Sequence, residues 1–523
     1  VQMRIRFGTP FRMTVTRWTF GLNFRFVFRL EWLTLWPNIG FLPQSSHIAM
    51  VVAPSLFCET ALVFHRMPSL ARREDTCNPR ALCWHPIFPG THCSPARQAG
   101  GWLRYLEDGP SRARTLYSPW EERGAVAGTR IKVLLDGAFI AQPRTGSGQY
   151  TLALWRELAR NDDPVVTLAL PAQPPVDLAD AARALVLVPP TRWPSKVRKL
   201  WWEQRGIPQL ARAAQPRLVH IPYFAAPLRL STPFVVTVHD VIPLVLPDYR
   251  ASLAMRFYTA LMRRTVRRAR LILTDSEWSR KDIVRVLGYP AERIRVVPLG
   301  VEERFAPTPE PDATQALAQA WGITGPVVLN LGGFDVRKNL PLLVRAFARA
   351  LPRLPAGTRL VIPGQPHSAN PRLYPTLVPL IRELGLEQHV LLPGPVSEEE
   401  KLLWYRLASV YAYPSRYEGF GLSPLEAMAC GTPVIAARCT SLPEVVGEAG
   451  ILVEPEEDAF AEALVRVLTD AELRCTLRER GLARARMFSW QRTAEQTLTV
   501  YREAIAEAGG NGLRAVVGKP CGS

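Results

Sequence analysis

From Arg130 onward the chain alternates short, unbroken apolar runs with helical stretches, and it does so twice. Runs of Val, Leu and Ile without polar alternation need cover on both faces, the condition of a parallel sheet flanked by helices. The first round has such runs at 131–136, 165–170, 184–188, 218–221, 234–239, 271–274 and 294–297. Residues 298–311, rich in proline and glutamate, read as a linker. The pattern restarts with a helix at 313–321 and strands at 327–331, 359–362, 390–392, 410–412 and 434–437. The expected fold class is α/β: two Rossmann-like domains, 129–303 and 304–490, facing a cleft. A last helix at 491–508 is expected to return to the first domain, and 509–523 reads as a frayed tail.

Residues 1–128 have a different texture. Trp, Phe, Arg, Pro and Cys mix there with no sustained period of 2 or 3.6, and lysine is absent. This part reads as an N-terminal extension without a packed fold. Zinc at Cys77, Cys83, His85, His92 and Cys93 fits none of the usual finger spacings, and an Arg/Trp/Phe membrane arm is another alternative. The net charge of +18 over 523 residues suits an anionic membrane surface, nucleic acid or phosphorylated substrates. Two basic helices, at 196–205 and 256–270, are either solvated faces or points of peripheral contact with anionic lipid. Eight cysteines without regular spacing do not make a secreted disulfide framework, and the first residues form no convincing signal peptide. The expected location is cytoplasmic.

Four stretches carry chemistry. Gly146-Ser147-Gly148 follows the first strand of the first round and opens a helix, as a phosphate loop does and as a simple tight turn also does. His239 and Asp240 arrive at the C-terminal end of a strand, the edge where open α/β sheets bind ligands; a core or turn-capping histidine is the alternative. Arg337 and Lys338 follow Gly332-Gly333 at a helix start, where cations are unfavourable unless an anion is expected; a solvated basic pair is the alternative. The stretch from Glu418 to Gly421 reads as a loop opening into a helix, with Ser423 as N-cap, Pro424 at the first helical position and Gly431 as the stop. Ser423 and Glu426 have the spacing of a capping box. The same helix start presents N–H groups and a positive dipole end, a natural place for phosphate.

The whole run Glu-Gly-Phe-Gly-Leu-Ser-Pro-Leu-Glu-Ala-Met-Ala-Cys-Gly at 418–431 resembles the signature of the retaining nucleotide-sugar glycosyltransferases of family four (group 1), which have the GT-B fold. The resemblance covers roughly 130–508 and takes in 146–148, 238–240, Asp275-Ser276, 297–301 and 337–339. It implies that Arg337 and Lys338 clamp the donor diphosphate, helped by the amides around Gly421 and Leu422. It implies that Glu426 binds the ribose hydroxyls, that Glu418 faces the donor sugar and that His239 approaches the sugar's far side. Gly146, Gly148 and Asp240 would border the phosphate and the acceptor. The activity implied is retaining transfer of a hexose-type sugar, mannose among the candidates, from a nucleoside-diphosphate sugar. The acceptor would be a glycan, a lipid-linked glycan or a polysaccharide; peripheral contact of the protein with the inner face of the cell membrane belongs with the cytoplasmic expectation. No cofactor, metal or nucleic-acid partner is implied. Many relatives carry an additional arginine near Gly333, which puts more of the diphosphate charge on Arg337 and Lys338 here. A sugar-nucleotide epimerase or phosphorylase on the same fold, and an inactive sugar-nucleotide-binding subunit, are the other classes.

Overall fold

The computed structural model describes residues 131–508 except 143–144, 174–177, 179–182, 251–252, 308–310 and 367–369; ahead of 131 it describes only the backbone of five strands. Residues 1–96 and 97–523 form two units. In the first, Met3–Arg6, Phe11–Phe20 and Asn23–Trp32 form an antiparallel sheet. The packing of 1–128, the zinc alternative and the tail at 509–523 lie outside the described residues.

The second unit holds two sheets. Numbered along the chain, the parallel strands of the first are Lys132–Asp136, Val165–Leu170, Ala184–Leu187, Leu218–Ile221, Phe234–Thr237, Ile272–Thr274 and Ile294–Val296. They lie in the order 3-2-1-4-5-6-7. The short strands Arg104–Leu106 and Thr115–Tyr117 extend the edge antiparallel, Leu116 opposite Val186. The second sheet comprises Val327–Leu329, Arg359–Val361, Val390–Leu391, Val410–Tyr413, Val434–Ala437 and Ile451–Val453, all parallel, in the order 3-2-1-4-5-6. The central strands Leu218–Ile221, Phe234–Thr237, Val410–Tyr413 and Val434–Ala437 are buried throughout, which is why their sequences do not alternate. In both sheets the order reverses between strands 1 and 4, so the loops after those strands part and leave a crevice at the C-terminal edge.

The last helix, Trp490–Ala508, packs on the first sheet. Its buried residues Thr493, Thr497, Tyr501, Ala504 and Ile505 recur at helical spacing and form one stripe. Thr493 Oγ1 donates to the Pro298 carbonyl (2.8 Å), and Glu503 pairs with Arg295. At the centre of this seam His220 shares hydrogen bonds with Tyr501 OH through Nδ1 (2.7 Å) and with Thr237 Oγ1 through Nε2 (2.8 Å). Thr237 Oγ1 lies 3.0 Å from Tyr150 OH, so the chain continues toward the helix Gly146–Leu158.

Burial, with a smaller contribution from His239, pushes the His220 imidazole from its ordinary 6.5 down to about 3. Between those two values the unfolded chain holds the proton and the folded protein does not, so stability falls as pH falls through that window. His220→Gln removes this titration. Its stability deficit relative to wild type, read from denaturant midpoints across pH, is expected to be largest near neutrality and to shrink toward acid. A deficit that stays constant with pH contradicts the assignment.

Candidate active site

The crevice of the second sheet is built from the loops after Val327–Leu329 and Val410–Tyr413. The first loop ends in a 3-10 turn, Val336–Lys338, and then Asn339 in left-handed backbone (φ 54°) before the helix Leu340–Ala350. Arg337 and Lys338 therefore precede that helix. Tyr413 ends its strand, and Ser415 and Glu418 follow it. These groups meet on one atom, Glu418 Oε1, which lies 2.7 Å from Arg337 Nη1, 2.8 Å from Lys338 Nζ, 2.8 Å from Tyr413 OH and 2.5 Å from Ser415 Oγ. Lys338 Nζ also donates to Tyr413 OH. Arg337 Nε reaches Asp335 Oδ1 (3.0 Å), which in turn accepts from Tyr249 OH of the first domain (2.5 Å).

The solvated-pair alternative fails, since Lys338 is only 6% exposed and both Arg337 and Lys338 pair with the buried Glu418. Burial alone would raise the Glu418 carboxyl, but Arg337 and Lys338 outweigh it and hold the group down at about 2. Lys338 is shifted down, by burial first and then by the neighbouring Arg337.

The helix after Glu418 runs Leu422–Ala429, and its N-cap is Gly421 with φ 124°, a backbone that side chains rarely tolerate. This corrects the sequence reading. Ser423 is the second helical residue rather than the cap, Pro424 the third, and Glu426 lies beyond the first turn. Ser423 and Glu426 form no capping box. Glu426 instead turns to the neighbouring helix Glu398–Leu407, where its oxygens take Lys401 Nζ (2.8 Å) and Tyr405 OH (2.9 Å). A capping box does form at the start of that helix, between Ser397 and Glu400. The helix Leu422–Ala429 stops as expected at Gly431 (φ 78°). Its N–H donates to the Met428 carbonyl, and the Thr432 N–H to that of Ala427.

The first domain brings its own half. His239 stands two residues beyond Phe234–Thr237, with Nδ1 2.8 Å from Asp275 Oδ2. Burial lowers its proton affinity, but the Asp275 carboxylate outweighs burial and the net shift is upward. Its Nε2 is buried, and the Pro222 backbone also acts on the ring and adds to the upward shift. Asp240 Oδ1 accepts from the Ile242 N–H (2.9 Å). Gly146 and Gly148 lie in the first turn of Gly146–Leu158, capped by Thr145, whose Oγ1 accepts from the Gly148 N–H (3.1 Å). Tyr150 in the same helix sets its ring edge-on to His239, centroids 4.6 Å apart.

The two halves touch. Ser279 Oγ lies 3.0 Å from the His239 carbonyl oxygen and 2.9 Å from that of Gly419, which also accepts from Ser276 Oγ (2.7 Å). A Cβ on Gly419 would overlap the His239 carbonyl. Beside this contact the Glu444 carboxylate accepts from the N–H groups of Glu277 and Trp278 (2.7 Å each), at the start of the helix Glu277–Leu287. His239, Asp240, Arg337, Lys338, Glu418 and Gly421 thus belong to one place, with Gly146 and Gly148 adjoining through Tyr150 and Glu426 deeper against Lys401. Sequence reasoning missed Tyr413, Ser415, Lys401, Tyr405 and Glu444. Their only local signal is that Lys401, like Lys338, is a rare lysine in an arginine-rich chain. Among the described residues no group of three or more His, Cys, Asp or Glu side chains is placed to hold a metal ion.

The family model for Glycosyltransferase Family 4 matches residues 144–305, and that for Glycosyl transferases group 1 matches 315–484. The chain is 33% identical over 286 residues to the O-antigen chain mannosyltransferase B of Escherichia coli, covering 54% of this chain and 74% of that relative. The chain belongs to the group 1, family 4 glycosyltransferases. This glycosyltransferase is also 37% identical over 243 residues to the D-inositol 3-phosphate glycosyltransferase of Acidothermus cellulolyticus, covering 45% of this chain and 54% of that relative, about half its length. Among solved structures, a sucrose-phosphate synthase from Thermosynechococcus elongatus matches with a TM-score of 0.56 and 23% identity, over 72% of this chain and all of that one. The Anabaena protein HepE, in complex with UDP-glucose, matches with a TM-score of 0.55 and 20% identity, over 73% of this chain and all of that one. These likenesses bear on the fold, which is GT-B, as the sequence resemblance implies.

The contact at Gly419 yields a prediction. Gly419→Ala places a methyl group against the His239 carbonyl and holds the two half-sites apart. Turnover is expected to fall about a hundredfold, the scale of a small misplacement in a positioned site. Nucleoside-diphosphate affinity, measured by calorimetry, should stay within a few-fold of wild type. Wild-type turnover in this variant means that the halves need not meet.

Proposed function

We propose that this glycosyltransferase moves a hexose-type sugar from a nucleoside-diphosphate sugar to a glycan, lipid-linked or polysaccharide acceptor, with retention of anomeric configuration. The observation that carries the reading is the convergence of Arg337 and Lys338 on Glu418, at the crevice of the second sheet and against the His239 loop. Breaking a glycosyl–phosphate bond leaves a diphosphate and gives the sugar oxocarbenium character. Fixed cations and helix N–H groups at the leaving group are the main electrostatic aid to such a step. Arg337, Lys338 and the N–H groups at Gly421 and Leu422 supply both kinds. An arriving diphosphate also relieves Lys338, whose ammonium is disfavoured by burial and by Arg337.

Glu418, held ionised, accepts from hydroxyls of the donor sugar. Asp275 fixes the His239 ring through Nδ1, and the His239 turn approaches the sugar from the other domain. Glu426 already takes one donor on each oxygen and keeps a second lone pair on each for ribose hydroxyls. Gly146, Gly148 and Asp240 border the phosphate and the acceptor. The cation pair handles the diphosphate, so turnover should not depend on added metal. The names of the relatives make mannosyl and glucosyl nucleotides the first donors to test. We place the enzyme on the cytoplasmic side, at the inner face of the cell membrane.

Glu418→Gln tests this reading. It removes a charge that competes with diphosphate for Arg337 and Lys338. Nucleoside-diphosphate affinity should therefore hold or rise, while turnover falls about a hundredfold or more. NMR of the product should show the donor's anomeric configuration. Wild-type turnover in the variant, or an inverted product, overturns the proposal.

A further inference from the structure

We propose that the face formed by the helices Ser195–Trp201 and Leu253–Val266 docks on an anionic lipid bilayer beside the acceptor side of the cleft. On the second helix and the turn after it, Arg256, Phe257, Ala260, Arg263, Arg264, Arg267 and Arg268 are exposed and recur at spacings of three and four, so they share one face. Phe257 is 73% exposed. Neither helix contains an acidic residue. Among the described residues, Arg256, Arg263, Arg264 and Arg267 pair with no carboxylate. A solvated helix face usually mixes both signs of charge; this one does not.

The first helix continues the surface. Val197 and Leu200 are 47% and 41% exposed and directly follow Lys196 and Lys199. The two helices are joined physically. Lys199 Nζ lies over the Tyr258 ring (5.2 Å from its centroid), and Tyr258 OH donates to the buried Glu203 (2.9 Å). Leu228, exposed at 40%, lies beside the second helix, where its carbonyl accepts from Arg268, and its N–H donates to Gln204 Oε1 just beyond the first (2.8 Å). Apolar side chains set among arginines match a bilayer surface, where the cations meet anionic headgroups and the apolar groups enter the acyl boundary. A polyanion such as RNA would use the arginines but leave Phe257, Leu200 and Val197 in water.

The face also has the right neighbour. Trp202, directly after the first helix, donates to Asp136 Oδ1 (2.9 Å). Asp136 ends the strand Lys132–Asp136, two strands from the one that delivers His239, about 10 Å along the same sheet edge. A bilayer on this face would present a lipid-linked acceptor next to the cleft. That last step rests on the proposed acceptor class; the docking itself does not.

The test is sedimentation of the full chain with vesicles of phosphatidylcholine alone or mixed with phosphatidylglycerol, and with RNA as a competing polyanion. Wild type should bind the anionic vesicles, bind the neutral ones weakly and lose binding as salt rises. Arg263→Glu with Arg264→Glu, and separately Phe257→Asp, should each cut the bound fraction about tenfold, because cations and apolar groups act together. Thermal midpoints and GDP and UDP affinities should stay at wild-type values. The proposal is overturned if wild type ignores anionic vesicles, or if both variants bind them as wild type does. It is also overturned if RNA binds as tightly and Phe257→Asp has no effect. Intact vesicle binding without any nucleoside-diphosphate binding counts against the donor reading and leaves the docking face standing.

Discussion

A single carboxylate oxygen, Glu418 Oε1, organises the second half of the site. It gathers Arg337, Lys338, Tyr413 and Ser415, contributed by two loops that the strand order sends in opposite directions. A buried charge is tolerated only when paired and hydrogen-bonded, and removing one member of such a set costs about 3–5 kcal/mol. The cluster therefore fixes both loops before any ligand arrives. What changes on donor binding is then which anion, Glu418 or the diphosphate, the two cations face. The same cluster reaches the other domain through Asp335 and Tyr249.

The second constraint is the close approach of the two domains. The loop that carries Glu418 lies against the turn that carries His239, and glycine at 419 is what allows it. The contact is polar rather than apolar: Ser276 and Ser279 hold the Gly419 carbonyl, and Glu444 sits on the positive end of the helix Glu277–Leu287. Tyr417 OH adds a bond to Asp282 across the same contact, and away from it one apolar cluster runs through residues of both domains.

Much of the architecture was legible in the chain. Unbroken apolar runs such as Phe234 to Val238 required a doubly covered parallel sheet, and the proline-rich linker marked the restart. The stop at Gly431 followed from local rules. The start of that helix did not. Ser423, Pro424 and Glu426 fit a capping box by spacing, yet the glycine at 421 takes the cap and the helix begins two residues earlier than that reading requires. Glu426 is then carried round to Lys401, a partner 25 residues away that no local pattern announces. Tyr413 and Ser415 were hidden for the same reason. Their role depends on the loop after Val327–Leu329 being brought alongside, which only strand order decides.

The most direct test of this account is a crystal structure of the glycosyltransferase with GDP or UDP bound. The terminal phosphate is expected within hydrogen-bond distance of Lys338 Nζ, of the Arg337 guanidinium and of an N–H at the start of the helix Leu422–Ala429, with the His239 turn facing it across the cleft. A diphosphate bound elsewhere, with Glu418 still holding both cations, would contradict it.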